Sequence, residues 1–138
     1  MNDWKISQPF RRSRVMKLSR AFSKALSVAT ASAEKNQHGA LILARKGPVG
    51  AGINVSLPHP PKGVWSIHAE VAAIAAAQRL YGDSLRGLTL VSARVGSHGQ
   101  AKCSKPCDAC MKAIRDAGIS RIVYHDGETM RVEKVRNA

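Results

Sequence analysis

The sequence predicts a mixed α/β protein in which helices pack on a five-stranded mixed sheet. Helical and strand-like hydrophobic patterns follow one another in the order α-β-β-α-β-α-β-β. Turns rich in glycine and proline separate these patterns. Only Asp126-Gly127 and a neighbour or two separate the last two strands, whereas a parallel crossover needs about a dozen residues. We therefore expect the sheet to end in an antiparallel hairpin.

The first three elements follow from one amphipathic stripe and two short apolar runs. Residues 11–35 are predicted to form a helix, because apolar residues recur there at helical spacing. These residues are Val15, Leu18, Phe22, Ala25 and Ala29. The apolar runs 40–44 and 49–53 flank a turn at Lys46-Gly47-Pro48 and predict a hairpin of two strands. The proline-rich residues 56–64 are expected to form an irregular loop.

The middle of the chain predicts a second helix. Ser66 is a favourable N-cap residue for a helix over residues 67–81, and Gly82 is a favourable residue to end it. The alanine-rich run 72–77 combines high helix propensity with small side chains. This helix is therefore suited to close packing against a sheet.

The last third of the chain predicts a strand, a helix and two further strands. Residues 88–93 form the third apolar run, and a loop follows as far as Pro106. Pro106 suits the first turn of a helix that ends before Gly118. Residues 121–125 and 129–135 predict the final two strands.

Length and cysteine content restrict the class of protein. A chain of 138 residues is expected to form one domain, with residues 1–10 as a flexible N-terminal segment. No run of 18 apolar residues occurs, so no membrane-spanning helix is predicted. Two of the three cysteines lie in a C-x-x-C, which argues against a disulfide framework and favours a reducing cytoplasm. Residues 1–30 are also compatible with an organelle transit peptide, although their regular apolar spacing favours an amphipathic helix.

The formal net charge of +13 predicts attraction to phosphates and polyanions. The basic excess is greatest in the first 24 residues, where Asp3 is the only acidic residue. The basic residues there are Lys5, Arg11, Arg12, Arg14, Lys17, Arg20 and Lys24. A run of charge is also typical of a solvated helix face, so contact with nucleic acid is one of two interpretations.

Two short motifs indicate a metal site. His68-Ala69-Glu70 supplies one imidazole, and Pro106-Cys107-Asp108-Ala109-Cys110 supplies two thiolates. Cys107 and Cys110 share one helical face, and the start of a helix favours a thiolate. One imidazole and two thiolates suit zinc, and three protein ligands leave its fourth position open for catalysis. A C-x-x-C alone is also typical of redox motifs and of structural zinc sites.

Glu70 is placed to move protons, because it lies two residues from the first ligand. Zinc lowers the pKa of a bound water from near 15.7 to about 7, and a neighbouring carboxylate can take and return the proton. Taken alone, Glu70 is also an ordinary acid in the first turn of a helix, and His68 an ordinary interior histidine. The combined H-x-E…P-C-x-x-C pattern is typical of the zinc nucleobase deaminases.

Over residues 15–127 the chain resembles the cytidine deaminase-like superfamily of zinc-dependent nucleoside, nucleotide and nucleic-acid deaminases. The resemblance implies a three-layer α-β-α fold and a Zn²⁺ ion bound by His68, Cys107 and Cys110. It further implies that Glu70 is the proton shuttle. The segment Gly52-Ile53-Asn54-Val55 and the main chain at Ala69 are similar to the family's substrate contacts. The resemblance therefore implies that Asn54 contacts the sugar and that Ala69 helps to hold the base.

The resemblance combines features of two branches of the superfamily. The antiparallel end of the sheet is typical of the free-cytidine deaminases, which normally have a cysteine where this chain has His68. The deoxycytidylate, tRNA-adenosine and polynucleotide cytosine branches usually add a helix that makes the fifth strand parallel. The chain therefore does not fall plainly within either branch.

Three functional hypotheses follow. The first is zinc-dependent hydrolysis of a cytosine amino group in a cytidine- or deoxycytidine-type nucleoside or nucleotide. The second is deamination of cytosine, or less readily adenine, in single-stranded DNA or RNA. The third is an inactive zinc module that binds nucleic acid. Apolar helical faces would permit a homo-oligomer.

Several residues outside the two motifs admit more than one role. Cys103 is either a substitute ligand, a redox partner of Cys107 or a partly buried free thiol. His38, His59 and His98 lie in or beside loops that could rim a pocket, although a surface or packing role is the simpler interpretation.

Overall fold

A computed structural model of the chain describes residues 9–58 and 66–136, with side chains from Leu18 onward. Its elements contain the three predicted helices and five predicted strands, and three two-residue strands in addition. In chain order they are α1 (Pro9–Ala29), β1 (Gln37–Ala44), β2 (Gly47–Ile53), β3 (Val55–Ser56), β4 (Ser66–Ile67), α2 (Ala69–Tyr81), β5 (Thr89–Val95), β6 (Ala101–Lys102), α3 (Asp108–Asp116), β7 (Arg121–His125) and β8 (Met130–Lys134). Residues 1–8 of the expected flexible segment lie outside the described residues.

The five predicted strands form one mixed sheet in the order β2-β1-β5-β7-β8, and β6 pairs with β5. β1 is antiparallel to both of its neighbours, whereas β5 and β7 run parallel. β7 and β8 are antiparallel, with Tyr124 opposite Arg131. Asp126 closes their turn by accepting a hydrogen bond from the backbone N–H of Thr129. The predicted C-terminal hairpin is therefore confirmed.

Both faces of the central strands β1, β5 and β7 are buried, which gives the chain three layers. Leu41 and Val91 pack with α1 on one face. Their sequence neighbours Ile42 and Leu90 pack with α2 and α3 on the other face. This alternation follows from the two-residue period of a strand. The α-β-α arrangement implied by the resemblance is confirmed.

The apolar stripe of α1 faces the sheet as predicted, from Leu18 to Ala29, while Arg20 and Lys24 are exposed. The side chains of Val15 and Lys17 lie outside the described part of the structure.

α1 ends at Ala29, and the prediction that it extends to residue 35 was wrong. The backbone N–H groups of the next three residues bond to carbonyls three residues back, which tightens the final turn. The Gln37 side chain then donates hydrogen bonds to the carbonyls of Thr30 and Ser32. These bonds occupy carbonyls that a longer helix would use, so the chain leaves the helix and enters β1.

The prediction that Ser66 caps the second helix was also wrong. Ser66 lies in β4 and pairs with Ser56 of β3. The helix begins at Ala69, and His68 occupies the N-cap position with extended backbone angles and no side-chain capping bond. Local propensity favoured the serine, but pairing between β3 and β4 keeps the chain extended for two more residues. Gly82 ends the helix as predicted, with a φ of 96°.

Two glycines allow α2 to lie close to β2. A Cβ atom added at Gly52 would lie 2.5 Å from the carbonyl oxygen of Ala69 and from the backbone nitrogen of Ala73. One added at Gly50 would lie 2.8 Å from the carbonyl oxygen of Ala73 and from the backbone nitrogen of Ala77. Ala73 and Ala77 of α2 face these glycines with buried methyl groups. Glycine on the strand and alanine on the helix thus set the distance between α2 and the sheet.

Among residues 9–58 and 66–136, no helix has the length and apolar character needed to cross a bilayer.

Gly52→Ala should destabilise the protein by about 1–3 kcal/mol, because the added methyl group overpacks the contact between α2 and β2. Chemical denaturation followed by circular dichroism measures the change. Ala51→Ser adds one atom at the neighbouring, exposed position and is the matched control. Equal stability of the Gly52→Ala variant and the wild type would contradict this account of the packing.

Candidate metal centre and active site

The two motifs meet because α2 and α3 pack on the same face of the sheet. His68 and Cys107 occupy the N-cap positions of the two helices, and Cys110 lies in the first turn of α3. The ligand-type atoms of these three residues all lie within 4.8 Å of one another. Cys110 is buried, whereas His68 and Cys107 reach solvent. The structure therefore brings together the three residues that the sequence predicted as metal ligands.

The donor set and its spacing fit zinc. Both close contacts of the imidazole use Nδ1, at 3.1 Å from Sγ of Cys110 and 3.7 Å from Sγ of Cys107. Tetrahedral zinc bonds of ~2.0–2.1 Å to nitrogen and ~2.3 Å to sulfur would place nitrogen and sulfur about 3.6 Å apart. The two observed distances lie on either side of this value. His68 could therefore bind a metal ion through Nδ1.

The protonation state of Cys110 depends on whether a cation is bound. Burial raises the pKa of its thiol well above the ordinary value, and the neighbouring Glu70 raises it further. In the absence of a cation the thiol is therefore protonated at neutral pH. A bound metal ion deprotonates a coordinating thiol.

Glu70 lies in the first turn of α2 and is 1% exposed. Its Oε2 lies 3.4 Å from Oγ of Ser92 and 3.5 Å from Nε2 of His38. Its Oε1 is buried and has no hydrogen-bond partner within the described residues. A buried polar atom without a partner is costly, so this oxygen is available to a ligand that brings a donor.

A buried hydrogen-bond network lies behind Glu70. Nε2 of His38 lies 2.8 Å from Oγ of Ser92, and this hydroxyl lies 2.9 Å from the carbonyl oxygen of Ser104. The Ser104 hydroxyl donates a hydrogen bond of 2.7 Å to the carbonyl of Ser92 and accepts one of 3.0 Å from the backbone N–H of His125. The network therefore ties β1, β5 and β7 to the segment that carries Cys107.

Burial lowers the pKa of His38 below its ordinary value, although the charge of Glu70 acts in the opposite direction. His38 is therefore neutral at neutral pH and carries one ring hydrogen.

A cavity of about 310 Å³ opens beside these groups. Its lining residues are Asn36, His38, Asn54, His68, Glu70, Arg94, Cys103, Lys105 and Cys107. A smaller cavity of about 160 Å³ shares His38, Asn54 and His68 and extends towards Glu34. The larger cavity thus combines the metal-type cluster, the buried carboxylate and two cationic side chains.

Asn54 lines both cavities, but much of its hydrogen-bonding capacity is used within the chain. Its Oδ1 accepts a 3.0 Å bond from the backbone N–H of His38, and its Nδ2 donates a 2.7 Å bond to the carbonyl of Asn36. One hydrogen on Nδ2 and one lone pair on Oδ1 are left for a ligand. Ala69 begins α2 with its side chain fully buried, so only its main chain can contact a ligand.

Of the remaining candidate residues, those that the structure describes do not join the metal-type cluster. Cys103 lines the larger cavity, yet among the described residues it does not join the metal-type cluster. His98 is exposed in a turn with Ser97 and Gln100. His59 lies outside the described residues.

Sequence reasoning gave no role in the site to four residues that lie there, namely Ser92, Arg94, Ser104 and Lys105. It treated His38 as a possible pocket residue but favoured a packing role. The two-residue period places Ser92 and Arg94 on the same sheet face as Leu90, which was an available signal. Their proximity to Glu70 depends on the packing of α2, which periodicity does not reveal.

Comparison with known families connects this geometry with a class of proteins. The family described as "Cytidine and deoxycytidylate deaminase zinc-binding region" matches residues 15–126. The chain belongs to this family. The matched region contains both motifs, Asn54 and the whole hydrogen-bond network behind Glu70.

Solved structures of low sequence identity share the fold of this deaminase-family protein. Cytidine deaminase from Mycobacterium leprae is 18% identical with a TM-score of 0.58, and the match covers 85% of this chain and 92% of that chain. The Mycobacterium tuberculosis cytidine deaminase is 24% identical with a TM-score of 0.55, covering 76% and 80%. The dCMP deaminase of cyanophage S-TIM5 is 20% identical with a TM-score of 0.57, covering 76% and 79%. No curated protein was found to match the sequence.

Zinc binding by this deaminase-family protein should require Cys107 and not Cys103. Wild type and Cys103→Ser should each retain about one zinc per chain after loading and dialysis, whereas Cys107→Ser should lose it. Elemental analysis measures the content, and the two serine variants are matched in chemistry. If only Cys103→Ser lost zinc, the assignment of Cys107 as a ligand would be wrong.

Zinc affinity should weaken as the pH falls. The raised pKa of Cys110 means that zinc must displace a proton from the thiol, so acid opposes binding. Competition with a chelator between about pH 8 and pH 6 measures the trend, and calorimetry in buffers of different ionisation enthalpy measures the protons released. An affinity that stays constant over this interval would be inconsistent with thiolate ligation.

Proposed function

We propose that this protein is a zinc-dependent hydrolytic deaminase of a cytosine-containing nucleoside or nucleotide. The observation that carries the proposal is the convergence of His68, Cys107 and Cys110 beside the buried carboxylate of Glu70 and an open cavity. Membership of the cytidine and deoxycytidylate deaminase family supports the same reaction. The cytidine and dCMP deaminases that share its fold suggest the substrate class.

In the proposed reaction, water replaces the amino group of cytosine, which leaves uracil and ammonia. His68 through Nδ1, Cys107 and Cys110 would hold the zinc ion. Zinc, when bound, supplies a Lewis acid that makes water nucleophilic near neutral pH. Glu70 accepts one proton from the attacking water and donates it to the ring nitrogen. It then accepts the second proton of that water, from the oxygen now bonded to the ring carbon, and donates it to the departing amine. Its Oε1, which has no partner in the described part of the chain, is the oxygen available for these transfers.

Substrate binding is assigned to the rim of the larger cavity. The main chain at Ala69 is proposed to hold the base, and the free hydrogen-bonding capacity of Asn54 to contact the sugar. Arg94 and Lys105 add positive charge to the same cavity and would favour a phosphate. A nucleotide is therefore as well suited to the charge of the site as a nucleoside.

Exposed apolar side chains of α2, namely Val71, Leu80 and Tyr81, are consistent with a homo-oligomer. A cytoplasmic location stays a prediction from the cysteine content.

Glu70→Gln should lower kcat by about 10²–10⁴-fold, because the amide cannot carry the proton. Mass spectrometry and ammonia release on cytidine, deoxycytidine and their phosphates measure the reaction. Zinc content and thermal stability should stay close to wild type, since the amide is isosteric. If zinc-loaded wild type turns over none of these substrates and none of the oligonucleotides below, the proposed deaminase activity is wrong.

A second candidate is the deamination of cytosine in single-stranded DNA or RNA, with adenine as the weaker variant. The net charge of +13 and the exposed Arg20 and Lys24 of α1 favour this candidate.

If the second candidate is correct, affinity for a cytosine-containing oligonucleotide should fall steeply with salt. The slope of log K against log salt is about −0.7 for each phosphate neutralised on a single strand. Fluorescence anisotropy over a salt series measures the slope, and turnover of the same oligonucleotide separates editing from mere binding. If the affinity is weak and does not change with ionic strength, the basic face of α1 is only a solvated helix surface.

A further inference from the structure

The two oxygens of the Glu70 carboxylate have different surroundings. Oε2 faces His38 and Ser92, at 3.5 Å and 3.4 Å, whereas Oε1 has no partner among the described residues. The terminal torsion of a glutamate is broad, so a carboxylate can rotate unless contacts hold it. The contacts on Oε2 are therefore what distinguishes one oxygen of Glu70 from the other.

The hydrogen-bond geometry identifies the donor in this contact. The Ser92 hydroxyl has one hydrogen, and its 2.9 Å contact with the carbonyl oxygen of Ser104 is a hydrogen bond only if the hydroxyl donates, because a carbonyl oxygen can only accept. With that hydrogen used, Ser92 can only accept in its 2.8 Å contact with His38. Nε2 of His38 must therefore carry the ring hydrogen. Nε2 lies 2.8 Å from Oγ of Ser92, its nearer acceptor, and 3.5 Å from Oε2 of Glu70.

The backbone of His38 is held on both sides of its peptide unit. Its N–H donates to Oδ1 of Asn54, and its carbonyl accepts from the backbone N–H of Asn54. The strand register places His38 opposite Arg94 and diagonal to Ser92 on the face that α2 covers. The imidazole is therefore anchored independently of the residue that it contacts.

We propose that His38 is a positioning residue of the deaminase proposed above. Its Nε2–H donates to Oγ of Ser92 and attracts Oε2 of Glu70 at 3.5 Å, which keeps Oε1 as the oxygen that meets the water and the base. His38 acts through Glu70 and carries no proton in the reaction. The expected effect on kcat rests on the proposed function. The hydrogen-bond geometry of His38 does not.

Two amide substitutions of His38 distinguish the contribution of Nε2 from that of Nδ1. Glutamine can place its amide nitrogen near the position of Nε2, whereas the shorter asparagine reaches only the position of Nδ1. His38→Asn should lower kcat by about 10–100-fold, the usual cost of losing a residue that orients a group in direct contact with the metal or the reactants. His38→Gln should restore most of kcat. Zinc content and thermal stability should be equal in the two variants.

Measuring kcat and KM separately distinguishes a positioning role of His38 from direct binding of substrate. His38 also lines the cavity, so a direct contact with substrate would raise KM and weaken product binding. We expect KM and product affinity to stay near wild-type values in both variants. Equal loss of kcat in the two variants, or a loss confined to KM, would overturn the proposal.

A spectroscopic measurement tests the geometry without turnover. In ¹⁵N-labelled, metal-free protein, the His38 ring signals are those that disappear in His38→Gln. They should show a neutral ring with hydrogen on Nε2, and they should shift in Glu70→Gln. A hydrogen on Nδ1, or ring signals that do not shift in Glu70→Gln, would refute the positioning role. This result stands even if no cytosine substrate is turned over, so the two proposals fail separately.

Discussion

The close approach of α2 to β2 is the constraint on which the rest of the structure depends. Gly50 and Gly52 leave no side chain between strand and helix, and the alanines of α2 fill the contact with methyl groups alone. Because α2 begins at this contact, its position fixes where His68 and Glu70 lie relative to the sheet. A larger residue on either side would displace the start of the helix, and with it the candidate site.

The candidate metal centre is assembled from the beginnings of two helices that are separate in sequence. His68 precedes α2 and Cys107 precedes α3, and both helices cover the same sheet face. Neither motif could bring the three donor atoms together by itself. The hydrogen bonds of Ser104 with β5 and β7 connect the cysteine segment to the sheet, so the framework holds the ligands in place in addition to any metal.

Burial of Glu70 is unfavourable for folding, since it places a carboxylate in the interior with one oxygen that lacks a partner among residues 9–58 and 66–136. Such local conflicts are expected at functional sites, where chemistry and stability make different demands. The network of His38, Ser92 and Ser104 offsets part of this cost on one side of the carboxylate. Within the described residues the other side stays unsatisfied, as the proton transfer proposed for Glu70 requires.

The sequence by itself determined the order of the elements, the C-terminal hairpin and the three metal-type residues. Hydrophobic period, a short connection and ligand spacing are local, so a linear reading captures them. The tertiary structure decided that Ser66 lies in a strand, that His68 presents Nδ1 to the cysteines and that His38 contacts Glu70. These outcomes depend on strand pairing, on side-chain torsion angles and on the packing of a helix over a particular strand register. Such interactions join residues far apart in sequence, and no local pattern encodes them.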